Sequence, residues 1–82
     1  MRPTIAEAAS FVRTRISDRT KVPESEIVDT TVLNDIGLLS IDAVLICGEI
    51  EDAFGVEVEP SLMFEFETFH EVVNAVMALF DT

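Results

Sequence analysis

Residues 37–55 of the chain read GLLSIDAVLICGEIEDAFG, and the architecture can be inferred outward from them. Apolar side chains recur at helical spacing after Ser40, and Gly55 is typical of a helix C-terminus because glycine adopts left-handed backbone angles. We therefore expect a helix from Ser40 to about Phe54. Its apolar residues form two stripes on different faces. The core stripe contains Ala43, Ile46, Cys47, Ile50 and Phe54, and the second stripe contains Ile41, Val44, Leu45 and Gly48.

The second stripe predicts an exposed surface. A helix that is apolar on nearly all sides is either fully buried or presents an apolar face to a partner. Full burial is hard to arrange in a domain of 82 residues. Glu49, Glu51 and Asp52 follow in the next turn, so we expect a docking face with an acidic edge, suited to a basic and partly apolar partner. The alternative is that Val44 and Leu45 pack against the preceding loop.

Two Thr-x-x-Glu capping boxes mark the starts of the first and last helices. The first box is Thr4–Glu7, and the apolar pattern of its helix fades near Ser17. The second box is Thr68–Glu71. The apolar faces of the two helices contain Ile5, Ala8, Val12 and Ile16 in the first and Phe69, Val72, Val73, Val76 and Phe80 in the last.

A long loop from Asp18 to Leu39 separates the first two helices, with one short turn possible after Pro23. Its irregularly spaced apolar residues are expected to anchor it to the core; they are Ile27, Val32, Leu33 and Ile36. Residues 55–60 predict an extended connector, and residues 61–66 a short third helix. The prediction is a single all-α domain over residues 1–82, a small bundle of three main helices plus one short helix.

The chain is strongly acidic, and its charge is unevenly placed. It has 16 Asp and Glu, 5 Lys and Arg, a formal net charge of −11 and a pI near 4.1. All five basic residues and only two acids lie in the first 21 positions, which gives +3 there and −14 over the remaining residues. We expect no nucleic-acid partner, because phosphate binding needs a basic surface, and we expect attraction to basic protein surfaces.

Several further classes of function are disfavoured. The single Cys47 cannot form an internal disulfide, and the acidic residues lack EF-hand spacing, so we expect no metal site. No leader and no apolar run of about 18 residues is present, which predicts a cytoplasmic protein without a membrane span. A catalytic Ser40 would need a base, and the only histidine, His70, lies in the second capping box. We expect no catalytic residue.

Residues 37–42, followed by an apolar helix that ends in Glu51-Asp52-Ala53-Phe54-Gly55-Val56, resemble an acyl carrier protein. That family has a Gly-x-Asp-Ser-Leu motif at the start of its second helix and an acidic-Phe-Gly stretch near its end. The resemblance covers essentially the whole chain, including the order of helices, the long loop and the acidic charge. It indicates a discrete, specialised acyl carrier protein of bacterial type.

The resemblance implies a non-enzymatic carrier. The family's serine, matched here by Ser40, receives a 4′-phosphopantetheine arm from coenzyme A, and the thiol of the arm holds acyl chains as thioesters. The implied partners of the monomeric carrier are a phosphopantetheinyl transferase and acyl-transfer, synthase or ligase enzymes with basic docking patches. The implied pathway is fatty-acid, specialised lipid or polyketide synthesis, with the acyl chain sheltered in the bundle interior. Two alternatives stay open: Ser40 as an ordinary N-cap, and the chain as an acidic interaction module that never carries phosphopantetheine.

Partner contacts implied by the resemblance fall on eight residues of the second helix and its start. They are Leu39, Ile41, Asp42, Val44, Leu45, Gly48, Glu51 and Asp52. Leu39 stands where the family usually has Asp, Leu45 where many members have Glu, and Gly48 where many have a bulky apolar residue. A glycine within a helix costs about 1 kcal/mol relative to alanine. We hypothesise that Gly48 opens room for an acyl chain or for a closely packed partner.

Overall fold

The computed structural model describes residues 2–81, which contain four α-helices and no β-strand. Helix α1 spans Ile5–Thr20, α2 spans Ser40–Phe54, α3 spans Leu62–Glu65 and α4 spans Phe69–Ala78. Single 3-10 turns occur at Glu24–Glu26, Leu33–Ile36 and Leu79–Asp81. The predicted small all-α bundle with a long loop after its first helix is confirmed.

Both predicted capping boxes form. The Glu7 N–H donates to Thr4 Oγ1 at 3.1 Å, and Glu7 Oε1 accepts the Thr4 N–H at 2.8 Å. The Thr68 and Glu71 pair makes the same reciprocal bonds at 3.3 and 3.1 Å. Each box satisfies backbone donors that the first turn of a helix cannot satisfy itself.

The ends of α1 and α2 follow from left-handed backbone conformations. Gly55, with φ of 68°, ends α2 as predicted. Helix α1 continues to Thr20, three residues beyond the predicted end near Ser17, and Lys21 ends it with φ of 66°. Apolar spacing missed this last turn because it contains only polar and charged residues.

The predicted apolar stripes of α1, α2 and α4 form the core. Eleven stripe residues are at most 2% exposed: Ala8, Val12, Ile16, Ala43, Ile46, Cys47, Ile50, Phe69, Val72, Val73 and Val76. Phe54 and Phe80, predicted on the same faces, are half-buried and pack against the edge of the core, because each lies at the end of its helix or just beyond it. Ile27 and Leu33 anchor the long loop to this core, also as predicted. Ile5 was expected on the core face but is 49% exposed, because it is the first residue of α1 and lies at the rim of the bundle.

Backbone hydrogen bonds join the long loop to the N-terminal end of α4. The Phe69 N–H donates to Thr31 O at 2.9 Å, and the His70 N–H donates to Asp29 O at 3.0 Å. Beside them, the Leu33 N–H donates to Glu67 O at 3.0 Å, within an isolated antiparallel bridge. The first amides of α4 are therefore paired with loop carbonyls.

The arginines of α1 connect it to the acidic remainder of the chain. Arg13 Nε donates to Ile27 O at 2.9 Å, and its guanidinium lies 4.9 Å from the centroid of the Phe69 ring. Arg15 Nε lies 3.2 Å from one carboxylate oxygen of Glu49, and Arg19 Nη2 lies 3.5 Å from the other. The basic opening segment therefore supplies internal counter-charges.

Replacement of Arg13 tests the strongest of these connections. Arg13→Ala removes the donor to the Ile27 carbonyl and uncovers the Phe69 ring, so we expect the free energy of unfolding to fall by about 1–2 kcal/mol. Arg19→Ala, on the same helix, breaks only a surface ion pair and should cost less than about 0.5 kcal/mol. Urea unfolding measures both variants. Equal losses would show that Arg13 contributes no more than a surface charge.

Glu71→Gln tests the second capping box. The backbone N–H of Thr68 donates to the Glu71 carboxylate and holds the pKa of Glu71 below its ordinary value of 4.5. A carboxylate with a lowered folded pKa stabilises the protein above its unfolded pKa, and this stabilisation is lost as pH falls through the folded pKa. Glutamine keeps an acceptor oxygen and removes only the charge. We therefore expect the variant to be less stable near pH 7.

The expected difference in unfolding midpoint between wild type and Glu71→Gln vanishes as pH falls below the folded pKa of Glu71, where both side chains are neutral. Urea unfolding at a series of pH values measures this difference. A difference that stays constant from neutral to acidic pH would show that the charge of Glu71 contributes nothing.

Candidate functional site

Ser40 is exposed and is the first residue of α2. Leu39 occupies the N-cap position in extended conformation, and its N–H donates to Asp42 Oδ2 at 3.0 Å. The Ala43 N–H donates to Leu39 O at 3.1 Å and begins the helical hydrogen bonds. The interpretation of Ser40 as the N-cap is therefore wrong, because Leu39 takes that position. The Asp42 carboxylate accepts the Leu39 N–H.

The N-terminal end of α2 is open, in contrast to that of α4. Within residues 2–81, the backbone N–H groups of Ser40, Ile41 and Asp42 have no acceptor, and the Ser40 hydroxyl has no hydrogen-bond partner. Unpaired amides and the positive end of the helix dipole favour a negatively charged group. A phosphodiester on Ser40 fits this position, since its oxygen is accessible and would lie beside free donors.

The second stripe of α2 is exposed, as predicted. Its members Ile41, Val44 and Leu45 have exposed fractions between 40% and 58%, and Gly48 is half-buried. Leu39, just before the helix, is 62% exposed. The alternative in which Val44 and Leu45 pack against the loop is therefore wrong. An apolar face extends from the Ser40 end along α2.

The carboxylates that border this face are largely engaged within the chain. Glu49 contacts Arg15 and Arg19 of α1, as described above, and Asp42 accepts the Leu39 N–H. Glu51 Oε2 accepts the Val58 N–H at 2.8 Å and so holds the connector after α2. Asp52 has no partner within the described part of the chain. The predicted acidic edge is present and surrounds an apolar face. Among the described residues, few of the carboxylates in this edge lack an internal partner.

Gly48 interrupts the apolar face. It is half-buried, and a Cβ placed on it would meet no atom within 4 Å. The helix therefore has open space at this position, outside its own backbone.

A pocket of about 400 Å³ lies between the loop that precedes α2 and the α3 segment. It is lined by Val32, Leu33, Asn34, Leu38, Met63, Phe64, Phe66 and Glu67. Leu38 is two residues before Ser40, and Phe64 is 58% exposed, so the pocket opens to solvent near the start of α2. Apolar spacing did not reveal this pocket, because its walls come from the two irregular segments of the chain.

The other reactive side chains are placed away from this chemistry. Cys47 is 1% exposed, and burial together with the charge of Glu51 raises the pKa of its thiol to about 11. His70 contacts Asn74 and Asp29 and has no contact with Ser40 among residues 2–81. Over the same residues, no cluster of three or more potential metal ligands forms, and no helix is both long and apolar enough to cross a membrane.

The family described as phosphopantetheine attachment site matches residues 10–76. Two non-reducing polyketide synthases are similar in sequence: phnA of Penicillium herquei, 30% identical over 71 residues, and pkiA of Emericella nidulans, 33% identical over 75 residues. The matches cover 87% and 92% of this chain but only 3% of each synthase. The chain therefore corresponds to a small part of these relatives.

A solved structure shares the fold. A free-standing peptidyl carrier protein from an uncharacterized secondary metabolic pathway of Acinetobacter baumannii superposes with a TM-score of 0.81. It is 24% identical, and the match covers 90% of this chain and 92% of that protein. The likeness confirms the four-helix carrier fold.

The open end of α2 does not by itself identify the family of the chain, whereas the family match does. Its members attach 4′-phosphopantetheine covalently and are non-catalytic carriers of acyl or peptidyl intermediates. The predicted cofactor and the predicted non-enzymatic role are confirmed at this level. The chain belongs to the family of phosphopantetheine-binding carrier domains.

Proposed function

We propose that Ser40 is the residue that bears the 4′-phosphopantetheine arm and that the chain presents polyketide-type acyl intermediates to partner enzymes. The observation that carries this proposal is the exposed Ser40 hydroxyl beside three unpaired backbone amides at the start of α2. The arm supplies a thiol that holds the intermediate as a thioester. The chain supplies the attachment oxygen and donors for the phosphate.

The neighbours of Ser40 support attachment of a long arm. Leu39 and Ile41 are 62% and 58% exposed, so neither covers the hydroxyl. The Asp42 carboxylate bonds the Leu39 amide and leaves the amides of the first turn free. An enzyme can therefore approach the hydroxyl without any rearrangement of α2.

The pocket beside α3 is the proposed shelter for the carried group. The middle of the bundle is filled by fully buried side chains such as Ile46, Phe69 and Val72, which leaves the loop–α3 pocket as the better location. Its wall includes Asn34 and Glu67 as well as apolar residues. A short acyl group with polar oxygen atoms matches such a mixed lining better than a long alkyl chain does.

The comparisons favour one of the implied pathways. Two similar proteins are polyketide synthases, and the similar solved structure is named for a secondary metabolic pathway. We therefore propose polyketide or related secondary metabolism in place of fatty-acid or general lipid synthesis. The proposed partners are a phosphopantetheinyl transferase and synthase or acyl-transfer enzymes, whose basic patches the net charge of −11 would attract over several ångströms.

Ser40→Ala tests the attachment residue. We expect wild-type protein incubated with coenzyme A and a phosphopantetheinyl transferase to gain the mass of one phosphopantetheine, since one hydroxyl is positioned at the open helix end. Ser40→Ala should gain no mass. Intact-protein mass spectrometry measures the change.

Ser61→Ala is the matched control, because Ser61 is also an exposed serine at the start of a helix, where it precedes α3. This variant should be modified like the wild type. If Ser40→Ala were still modified, another residue would bear the arm. If the wild type stayed unmodified with several transferases, the chain would be an interaction module.

Thiol reactivity gives an independent measure of the modified form. The pKa of Cys47 near 11 and its burial should keep it unreactive toward Ellman's reagent at about pH 8. The native unmodified protein should therefore react very slowly, and the native modified protein should consume about one equivalent rapidly. Rapid reaction of the unmodified protein, abolished by Cys47→Ala, would contradict the burial of this thiol.

A further inference from the structure

Gly48 forms a notch in the exposed apolar face of α2. Helical spacing places it one turn after Val44 and Leu45 and one turn before Asp52. Val44 and Leu45 are 45% and 40% exposed, so apolar side chains border the notch on one side. Space for a Cβ at Gly48 is empty to at least 4 Å.

The fold itself does not require glycine at this position. Gly48 lies within α2, away from the positive φ angles seen at Gly37 and Gly55. Alanine would fit the empty space and would favour the helix more than glycine does. Glycine at this position therefore lowers the stability of α2, and it is not needed to avoid a close contact with another part of the protein.

The proposed location of the carried group favours one of the two hypotheses for Gly48, that of a closely packed partner. The pocket beside α3 is lined by other residues, and the second stripe points away from the core. A carried acyl group in that pocket would not reach the notch. An external partner remains as the occupant.

We propose that the notch at Gly48 receives a bulky apolar side chain of the phosphopantetheinyl transferase that modifies Ser40. This inference rests on the proposed function of Ser40. Gly48 lies eight positions after Ser40, which is about 12 Å along the helix. A standard interface buries about 800 Å² on each partner and is roughly 30 Å across. An enzyme bound at Ser40 therefore also covers Gly48.

The charges around the notch specify the chemistry of the inserted group. Glu49 is paired with the arginines of α1, and Glu51 accepts the Val58 amide. Asp52 is the free carboxylate beside the notch within the described residues. A buried basic side chain would find few free acceptors there, whereas an apolar side chain matches the exposed Val44 and Leu45.

Gly48→Leu tests the inference by filling the notch. Steady-state modification by a broad-specificity transferase with coenzyme A gives KM and kcat for each carrier variant. We expect Gly48→Leu to raise KM for the carrier at least about tenfold and Gly48→Ala to raise it less, with kcat unchanged in both, because docking is weakened and the chemistry is not. Both variants should unfold at higher urea concentration than the wild type.

Ala53→Leu is the matched control, since it enlarges an exposed alanine of α2 that lies outside the apolar face. Its KM should equal that of the wild type. A wild-type KM for Gly48→Leu would overturn the inference, as would a large rise in KM for Asp52→Asn without one for Gly48→Leu. Failure of the proposed function is a different result, in which the wild-type protein itself is never modified.

Discussion

The backbone pairing between residues 29–33 and the start of α4 is the contact on which the position of Ser40 depends. The loop before α2 is long enough to be mobile if nothing held it. The carbonyls of Asp29 and Thr31 bond the first two amides of α4, and buried Ile27 and Leu33 fix the loop to the core. The loop and the helix end satisfy each other's polar groups, so each is stable only when the other is in place.

The starts of α2 and α4, which follow this loop, differ in whether their backbone amides are paired. At α4, loop carbonyls and Thr68 occupy every amide of the first turn. At α2, one carboxylate bonds the N-cap amide, and the next three amides have no acceptor among residues 2–81. The start of α4, whose amides are paired, is part of the structural framework of the bundle. The open start provides the electrostatic environment in which a phosphate ester can be held.

Features with a local sequence signal could be predicted, and those set by distant residues could not. The capping pair Thr68 and Glu71 and the terminator Gly55 carry their signals within a few residues, so the helix bounds agree closely. The bridge between Val32 and Thr68 joins segments far apart in sequence, and a single bridge has no strand pattern. Likewise, no feature of the sequence near Glu51 indicates that its carboxylate accepts the Val58 N–H.

The start of α2, where the candidate site lies, was predictable to within one residue. The sequence located the start of α2 at Ser40, but the N-cap is Leu39, one residue earlier, and its amide donates to the carboxylate of Asp42. Charge counting also overstated the free acidity of α2, because Glu49 meets two arginines that lie about thirty residues earlier. The role of Ser40 as the attachment residue stays a prediction.

The confinement of all basic residues to the first 21 positions has a consequence for proteolysis. Trypsin cleaves only after lysine and arginine, so residues 22–82 contain no tryptic bond. The cleavable bonds lie in α1 or close to its ends, and a packed helix must unwind locally before a protease can bind it. Cleavage after Arg13, Arg15 or Arg19 therefore reports the opening of α1, and the fragment released would keep α2, the pocket and Ser40 on one continuous peptide.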